Sequence, residues 1–207
     1  MRILFQYSNY SIEYNYYTFK KLVKLDENIE IGLCGLNAFG RKFLKKKEKN
    51  FKEFVPLDYE NYKPRNIVNY NKLKEFQKSL DKESMWKIIA SDRSLGSAFK
   101  HGYIGYESKY SRNRNLILEY LSELIESYEK IFDNFKPDIF IPAIAMGNVG
   151  LKIIEIICMQ RNIRYLSLES VRIENYLTFA SNSQLDFKNI DDRTETYLNS
   201  KSQNISN

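Results

Sequence analysis

The spacing of apolar segments at the start of the chain constrains its fold most strongly. Residues 2–7 (RILFQY) and residues 29–36 (IEIGLCGL) are short apolar runs, which predicts two buried strands. Residues 14–25 between them carry apolar side chains at helical spacing. A strand, a helix and a second strand in such close succession form a βαβ unit, whose right-handed crossover makes the two strands parallel.

A second unit of the same kind is predicted in the later part of the chain. Residues 112–135 carry apolar side chains at alternating three- and four-residue steps, which predicts a long amphipathic helix. A strand at 139–144 (IFIPAI), an apolar helix at 151–160 and a strand at 162–168 follow it. The glutamates of the long helix fall on its other faces: Glu119, Glu123, Glu126 and Glu129. We therefore expect an α/β fold of three layers, in which a mostly parallel, Rossmann-like sheet has helices on both faces.

The middle of the chain is less regular. Residues 41–53 are rich in lysine with few apolar anchors, which predicts an exposed helix, and residues 72–80 predict a short helix. Short apolar runs at 54–57 (FVPL) and 85–90 (MWKIIA) predict two further strands. We expect both of these strands to extend the parallel sheet.

The composition is that of a folded protein and changes near the end of the chain. Hydrophobic residues make up 43% of the sequence and charged residues 28%, which excludes a disordered chain, a collagen-like chain and a disulfide scaffold. After residue 180 the chain is dominated by Ser, Asn, Asp and Gln. We therefore expect one Rossmann-like domain in residues 1–180 and a polar tail or truncated linker in residues 181–207.

Cysteine usage, the first residues and the hydropathy pattern together indicate the cytoplasm. Cys34 and Cys158 lie in apolar runs, which predicts two buried thiols in a reducing compartment. The start MRILFQYSN lacks the apolar core and the small-residue cleavage site of a signal peptide. No stretch of the chain approaches the roughly 18 apolar residues of a membrane span.

Positive charge is concentrated in the first half of the chain. Lys and Arg outnumber Asp and Glu by 21 to 13 in residues 1–110, and seven basic residues fall within 41–52. The RNP, KH and zinc-finger patterns are missing from the sequence, so nucleic acid is not an expected partner. We interpret the basic segment as a solvated helix face or as a peripheral contact with an anionic membrane.

Four loops are candidates for ligand binding, because open parallel sheets bind ligands beyond the carboxyl ends of their strands. The loop after IFIPAI is the most informative. Gly147 lets the backbone approach a ligand, and Asn148 can both donate and accept hydrogen bonds. The helix N-terminus that follows favours an anion or a sugar hydroxyl, although a plain tight turn is the alternative. The four loops are residues 8–11, 35–40, 91–96 and 145–150.

Two charged residues and a histidine carry the predicted chemistry. Asp92 can accept a proton from a hydroxyl group, and the Arg93 guanidinium can hold a phosphate or carboxylate through two hydrogen bonds. Local capping of their own loop is the alternative role for both residues. His101 is the only histidine of the chain, so any catalytic set that needs histidine has to use it.

Several common site motifs are missing from the sequence. It contains neither the GxGxxG dinucleotide fingerprint nor a Walker loop, and the G-x-S-x-G elbow of serine hydrolases is also missing. One histidine and two cysteines without C-x-x-C or H-x-x-x-H spacing make a metal site an unfavourable prediction. We therefore expect no metal and no bound cofactor.

The order of the segments MRILFQYSN, MWKIIASDRSLG and KPDIFIPAIAMG, followed by an apolar helix, a strand and RIENYLTF, resembles a known family. It is similar to the N-terminal domain of GT-B glycosyltransferase-like proteins of surface and capsular polysaccharide biosynthesis, over about residues 1–180. The resemblance implies an acceptor-binding domain that faces a second Rossmann-like domain, which binds a nucleotide-sugar as co-substrate. Transfer would then need no metal, and the acceptor would be a sugar or a lipid-linked sugar.

The resemblance also implies roles for particular residues. Asp92 or His101 would be the general base that deprotonates an acceptor hydroxyl. The chain lacks the donor-binding domain of the family, so we expect the front part of a longer enzyme, a stand-alone relic or a subunit that depends on a partner chain. Residues that would line the acceptor side are Ser8, Asn9, Asp92, Arg93, Gly147 and Asn148.

Two other functions stay open at the level of sequence. The chain could be a non-catalytic Rossmann-like module that binds a nucleotide or a phosphorylated ligand for regulation or assembly. It could also be a small hydrolase that uses Asp92 and His101.

Overall fold

Five parallel strands form the central sheet of the protein. The computed structural model describes residues 1–6, 12–35, 51–57, 62–80, 82–92, 95, 113–143, 149–170 and 177–182. The strands are β1 (Arg2–Gln6), β2 (Glu30–Cys34), β3 (Lys52–Phe54), β4 (Ile139–Ile141) and β5 (Arg164–Tyr165). Their order across the sheet is β3-β2-β1-β4-β5, and each neighbouring pair is parallel. The predicted α/β fold with a parallel, Rossmann-like sheet is therefore confirmed.

Helices cover both faces of this sheet. The described ones are α1 (Ile12–Leu25), α2 (Tyr70–Ser79), α3 (Met85–Ser91), α4 (Arg114–Phe135) and α5 (Val149–Gln160). Helix α1 packs on the face that carries Ile3 and Phe5, where the ring centroids of Phe5 and Phe19 lie 5.0 Å apart. Leu4 points to the opposite face, into a core that the other four helices share. Side chains that alternate between two apolar cores are typical of a strand buried on both faces.

Helix α4 packs its C-terminal part against the second face, where Phe132 contacts Phe140 and Phe135 contacts Phe54. Its predicted apolar positions are all buried: Ile117, Leu121, Leu124, Tyr128, Ile131 and Phe135. The Phe135 ring fills the space above Gly32 of β2, so closely that a Cβ added to Gly32 would lie 2.8 Å from the ring. Just beyond the helix, the Asp138 carboxylate accepts a hydrogen bond from the backbone N–H of Arg2 at 2.7 Å. The end of α4 is thus tied to the start of the central strand.

The apolar run MWKIIA forms helix α3, so the prediction of a strand there was wrong. Met85, Ile88 and Ile89 have the spacing of one helix face, and all three are buried. The Ser84 side chain caps the helix by accepting a hydrogen bond from the backbone N–H of Trp86 at 3.2 Å. So short an apolar run fits a strand as well as a helix, and here the cap and the packing decide.

The third strand begins earlier than predicted. It spans Lys52–Phe54 instead of residues 54–57, because Glu53 and Phe54 pair with the end of β2. Lys52 and Glu53 therefore belong to a strand and not to the predicted helix over 41–53. The first ten residues of that predicted helix lie outside the described residues.

The predicted strand over 162–168 is two short strands. After β5, strand β6 (Ser167–Ser170) pairs antiparallel with β7 (Leu177–Ala180) in a separate two-stranded sheet. Strand β5 thus completes the parallel sheet, whereas β6 belongs to the second sheet. Of the predicted tail over 181–207, the structure describes residues 181 and 182.

Both cysteines are buried free thiols, as predicted. Burial raises the pKa of the Cys34 thiol to about 12 and also raises the pKa of Cys158. Within the described part of the chain, no helix combines the length and the apolarity that a membrane span requires.

Candidate functional site

The carboxyl ends of β1 and β4 form the topological switch point of the sheet. The two strands are neighbours, with Phe5 opposite Ile141. The chain leaves β1 for α1 on one face of the sheet and leaves β4 for α5 on the other face. Connections that diverge to opposite faces open a crevice between them, and open α/β sheets bind their ligands in such a crevice. The switch point is therefore the candidate site of this fold.

Asp92 joins two helices, α3 and α5, at this edge of the sheet. It follows the last residue of α3 and is 5% exposed. Its Oδ2 atom accepts a hydrogen bond from the backbone N–H of Val149, the first residue of α5, at 2.8 Å. Its Oδ1 atom accepts a second one from the backbone N–H of Leu95 at 3.2 Å. A carboxylate at a helix N-terminus is also stabilised by the helix dipole.

The element before Asp92 differs from the sequence prediction. The prediction placed Asp92 after a strand, whereas it follows α3 and reaches the same edge through its contact with α5. Of the two roles considered for this residue, the geometry favours bracing of the loop. A role as general base stays a prediction.

Gln6 is a second polar group at the switch point, and the sequence analysis missed it. It is the last residue of β1 and is half-buried. Its Oε1 atom accepts a hydrogen bond from the backbone N–H of Ala143, beyond β4, at 3.5 Å. Its side chain also lies near the buried Tyr128 of α4. The sequence signal that could have identified Gln6 is a polar residue directly after the apolar residues 3–5.

Tyr128 of α4 and Cys34 of β2 are neighbours of Gln6. Cys34 is the β2 partner of Gln6 in the strand register, and Tyr128 is buried on α4. Burial and the neighbouring Cys34 raise the pKa of Tyr128. At neutral pH the group under Gln6 is therefore a neutral hydroxyl.

The remaining predicted site residues fall outside the described part of the chain. They are Ser8, Asn9, Arg93, His101, Gly147 and Asn148. Of the predicted site residues the structure therefore describes Asp92, which it brings to the start of α5. Among the residues that it describes, no three His, Cys, Asp or Glu side chains gather as metal ligands would.

The polar face of α4 holds the irregular segment of residues 62–69 before α2. Glu119 of α4 is 3% exposed and accepts a hydrogen bond from the backbone N–H of Arg65. The Tyr62 hydroxyl donates a hydrogen bond to Glu123 Oε1 at 3.1 Å. Burial, together with the neighbouring Glu119 and Glu123 carboxylates, raises the pKa of Tyr62. The buried carboxylate thus satisfies the backbone of a segment that has no regular structure.

The same face continues along α4 toward its C-terminal end. The backbone N–H of Asn69 donates to the Ser122 hydroxyl at 3.3 Å, and its side chain donates to Glu126 at 2.8 Å. Lys72 at the start of α2 lies 3.1 Å from a carboxylate oxygen of Glu129. The glutamates do lie away from the apolar stripe, as predicted, and they bind a neighbouring segment of the chain.

A cavity of about 430 Å³ lies between this face of α4 and the chain that leaves β3. Apolar side chains and side chains of both charges line it. The lining residues include Phe54, Leu57, Ile131, Arg65, Glu126 and Lys130. The mixture of charges selects no ligand class, so the switch point is the stronger candidate site.

Comparison of the chain with protein-family models, with curated proteins and with solved structures finds no match.

Proposed function

We propose that this chain is the acceptor-binding domain of a glycosyltransferase-like enzyme of cell-surface polysaccharide biosynthesis. The observation that carries the proposal is the switch point between β1 and β4 in a wholly parallel five-stranded sheet. Domains of this architecture bind ligands at that point. The resemblance of residues 1–180 to GT-B N-terminal domains suggests a sugar or a lipid-linked sugar as that ligand. A second domain or a partner chain would supply the nucleotide-sugar.

The start of α5 supports an uncharged ligand over a phosphorylated one. The N–H groups at a helix N-terminus attract anions when they are free. Here the Asp92 carboxylate accepts the N–H of Val149, and its charge repels a phosphate group. Sugar hydroxyls are uncharged and avoid this repulsion. The contact therefore favours acceptor binding over the alternative of a module that binds a nucleotide or a phosphorylated ligand.

The burial of Asp92 favours a division of roles between the two predicted bases. A general base must come within hydrogen-bond reach of the acceptor hydroxyl. Asp92 is almost fully buried, and two backbone N–H groups hold its carboxylate against the protein. We therefore propose that Asp92 shapes the binding edge and that His101 acts as the base in the complete enzyme.

The proposed location is the cytoplasm, where nucleotide-sugars are consumed, with the basic segment at 41–52 in peripheral contact with an anionic membrane. Positive charge attracts anionic phospholipid, and a lipid-linked acceptor would lie at that surface. Vesicles with and without anionic lipid, sedimented with the protein, test this contact. Equal binding to both kinds of vesicle would remove it from the proposal.

A glycan microarray tests the proposed binding function. The fluorescently labelled chain is applied to fragments of surface and capsular polysaccharides, with inorganic phosphate or UMP as competitor. We expect binding to a subset of neutral glycans, unaffected by either competitor. Absence of glycan binding, together with thermal stabilisation by UMP or phosphate, would support the alternative module instead.

A further inference from the structure

Helix α1 carries apolar side chains on its outer side as well as on its inner side. The inner side, with Tyr16 and Phe19, is buried in the core between the helix and the sheet. A surface helix needs only one such apolar face to fold onto a sheet. Nevertheless, Tyr17 is 61% exposed, and Leu25, the last residue of the helix, is 82% exposed. Packing within the chain therefore does not account for these two side chains.

Three lysines lie on the same outer face of α1. Tyr17, Lys21 and Leu25 follow one another at four-residue steps, so they form one row along the helix. Lys20 and Lys24 form the neighbouring row, and all three lysines are exposed. The outer face thus combines positive charge with apolar side chains that project from the protein.

The charge of α1 is positive overall. The helix contains Lys20, Lys21, Lys24 and one acidic residue, Glu13, which falls in register with the same face, so its net charge is +2. Lys24 lies in the last turn, where the helix dipole favours a cation. Lys20 and Lys21 lie further from the end, where this effect has faded. Their charge is therefore available to attract an anionic surface.

The basic segment at 41–52 ends beside α1. Within that segment, the ring centroid of Phe51 lies 5.2 Å from the ring centroid of Phe19. Phe19 belongs to the core on the face of the sheet that carries Ile3 and Phe5. The described end of the basic segment is therefore on the same side of the sheet as α1.

The combination of groups on this face fits the chemistry of an anionic membrane. Lysines close to such a membrane are attracted by the charge of its headgroups. A leucine side chain gains free energy when it leaves water for the boundary between headgroups and acyl chains, and a tyrosine ring is favoured at the headgroup level. A small anion such as phosphate would engage the lysines but would leave Leu25 in water.

We propose that the outer face of α1 contacts a membrane surface that contains anionic phospholipid. The three lysines of this face bind the lipid headgroups, and the side chains of Tyr17 and Leu25 enter the interfacial layer. The inference rests on the peripheral location in the proposed function and adds to it the described residues that make the contact. It is independent of the ligand at the switch point, since none of these residues lies there.

Co-sedimentation with lipid vesicles tests this surface. The full chain is mixed with vesicles of phosphatidylcholine, with or without phosphatidylglycerol, and the partition coefficient is measured at low and at high salt. The wild type should prefer the vesicles that contain phosphatidylglycerol, and salt should weaken the binding. The double variant Lys21→Gln/Lys24→Gln should lower the partition coefficient about 25-fold, since each lysine near an anionic surface contributes roughly fivefold.

Leu25→Gln tests the apolar part of the contact, because it removes the apolar side chain and leaves the charge unchanged. Leu25 is exposed at the end of α1, so the fold should tolerate the replacement. The partition coefficient should fall about three- to tenfold. This loss should persist at high salt, which screens the lysines and not the leucine.

The matched controls lie on the other side of the sheet. Lys74→Gln/Lys78→Gln removes two exposed lysines of α2, and Met159→Gln removes an exposed apolar side chain near the end of α5. Both of these helices share the core on the face opposite α1. The controls should bind the anionic vesicles as the wild type does, and thermal melting shows whether each variant keeps the fold.

The outcomes separate this inference from the function on which it rests. Weaker binding of both α1 variants, with both controls unchanged, supports the inference. If the α1 variants bind as the wild type does, the inference is overturned and the contact of residues 41–52 stands. A wild type that binds neither kind of vesicle overturns both contacts, whereas acceptor binding is tested separately by the glycan array.

One further outcome would identify a different partner. If the lysine variant loses binding and Leu25→Gln does not, the face attracts polyanions in general, such as an acidic protein. That result would overturn the proposed membrane contact.

Discussion

The carboxylate of Asp92 accepts a hydrogen bond from the backbone N–H of Val149 at 2.8 Å, across 57 positions of sequence. This contact joins the end of α3 to the beginning of α5. It also occupies a helix N-terminus that would otherwise attract an anion. Asp92, which the sequence analysis predicted as a candidate general base, thus stabilises the fold at the same edge of the sheet.

Replacement of Asp92 should destabilise the protein. Asp92→Ala leaves the buried N–H groups of Val149 and Leu95 without their acceptor, and we expect a loss of about 2–4 kcal/mol in the free energy of unfolding. Asp92→Asn keeps one acceptor oxygen and should lose about half as much. Urea unfolding followed by the fluorescence of Trp86, the only tryptophan, measures both.

The control for this prediction is Glu27→Ala, which removes an exposed carboxylate between α1 and β2. It should change stability by less than about 0.5 kcal/mol. If Asp92→Ala were as stable as this control, the bracing role would be wrong, and a catalytic role for Asp92 would regain support.

Glu119 should contribute more to stability than the exposed glutamates. Glu119→Ala removes the acceptor for the backbone N–H of Arg65 and a partner of the Tyr62 hydroxyl, at a cost of about 2 kcal/mol. Glu119→Gln retains an acceptor oxygen and should cost about 1 kcal/mol or less. The matched control is Glu75→Gln on the exposed side of α2, with an expected change near zero. Equal effects at Glu119 and Glu75 in urea unfolding would contradict the burial of Glu119.

Gly32 should not tolerate a side chain. A Cβ at this position would lie 2.8 Å from the Phe135 ring and 3.1 Å from a methyl carbon of Leu4, so Gly32→Ala should cost about 1–3 kcal/mol through overpacking. Phe135→Leu is destabilising by itself because it leaves a cavity. The double variant should be more stable than the sum of the two effects predicts, since the smaller side chain makes room for the methyl group. Additive effects would show that the two residues do not compete for space.

The two thiols should be unreactive in the folded protein. Burial raises the pKa of Cys34 to about 12 and raises that of Cys158, so neither forms a thiolate at pH 8, and neither is accessible. A colorimetric disulfide reagent should detect no thiol in the native chain and two in urea. Reaction of a native thiol at pH 8 would disprove their burial.

The same shifts predict the dependence of stability on pH. Between pH 9 and pH 12 the unfolded chain loses the thiol protons, whereas folded Cys34 keeps its proton. Folding then binds protons, so the stability should fall as pH rises through this window. Cys34→Ala should reduce that slope when unfolding is measured at several pH values.

The parts of the fold that sequence predicted well are those with long, regular patterns. The helix over 112–135 was predicted within two residues of its observed start at Arg114, because six apolar positions repeat on one face. The first βαβ unit followed from two apolar runs and one amphipathic segment. In each case the pattern is local, so it can be read without knowing what the element packs against.

The run MWKIIA shows where local patterns stop being sufficient. Its six residues fit both periods, and it folds as a helix because Ser84 caps it and the core accepts one helical face. Gln6 shows a second limit. A single polar residue in an apolar strand forms no periodic pattern. The contacts that Gln6 makes depend on β4 and α4, which are far away in sequence.

The amino-acid sequence by itself determined the two βαβ units and the parallel direction of their strands, since both follow from local periodicity and from the crossover that a βαβ unit imposes. Tertiary structure alone decided which polar groups meet. Asp92 meets Val149, Glu119 meets Arg65, and Gln6 meets Ala143 only when separate elements pack together. Buried hydrogen-bonding groups need partners, and those partners are chosen by distance in space and not by distance along the chain.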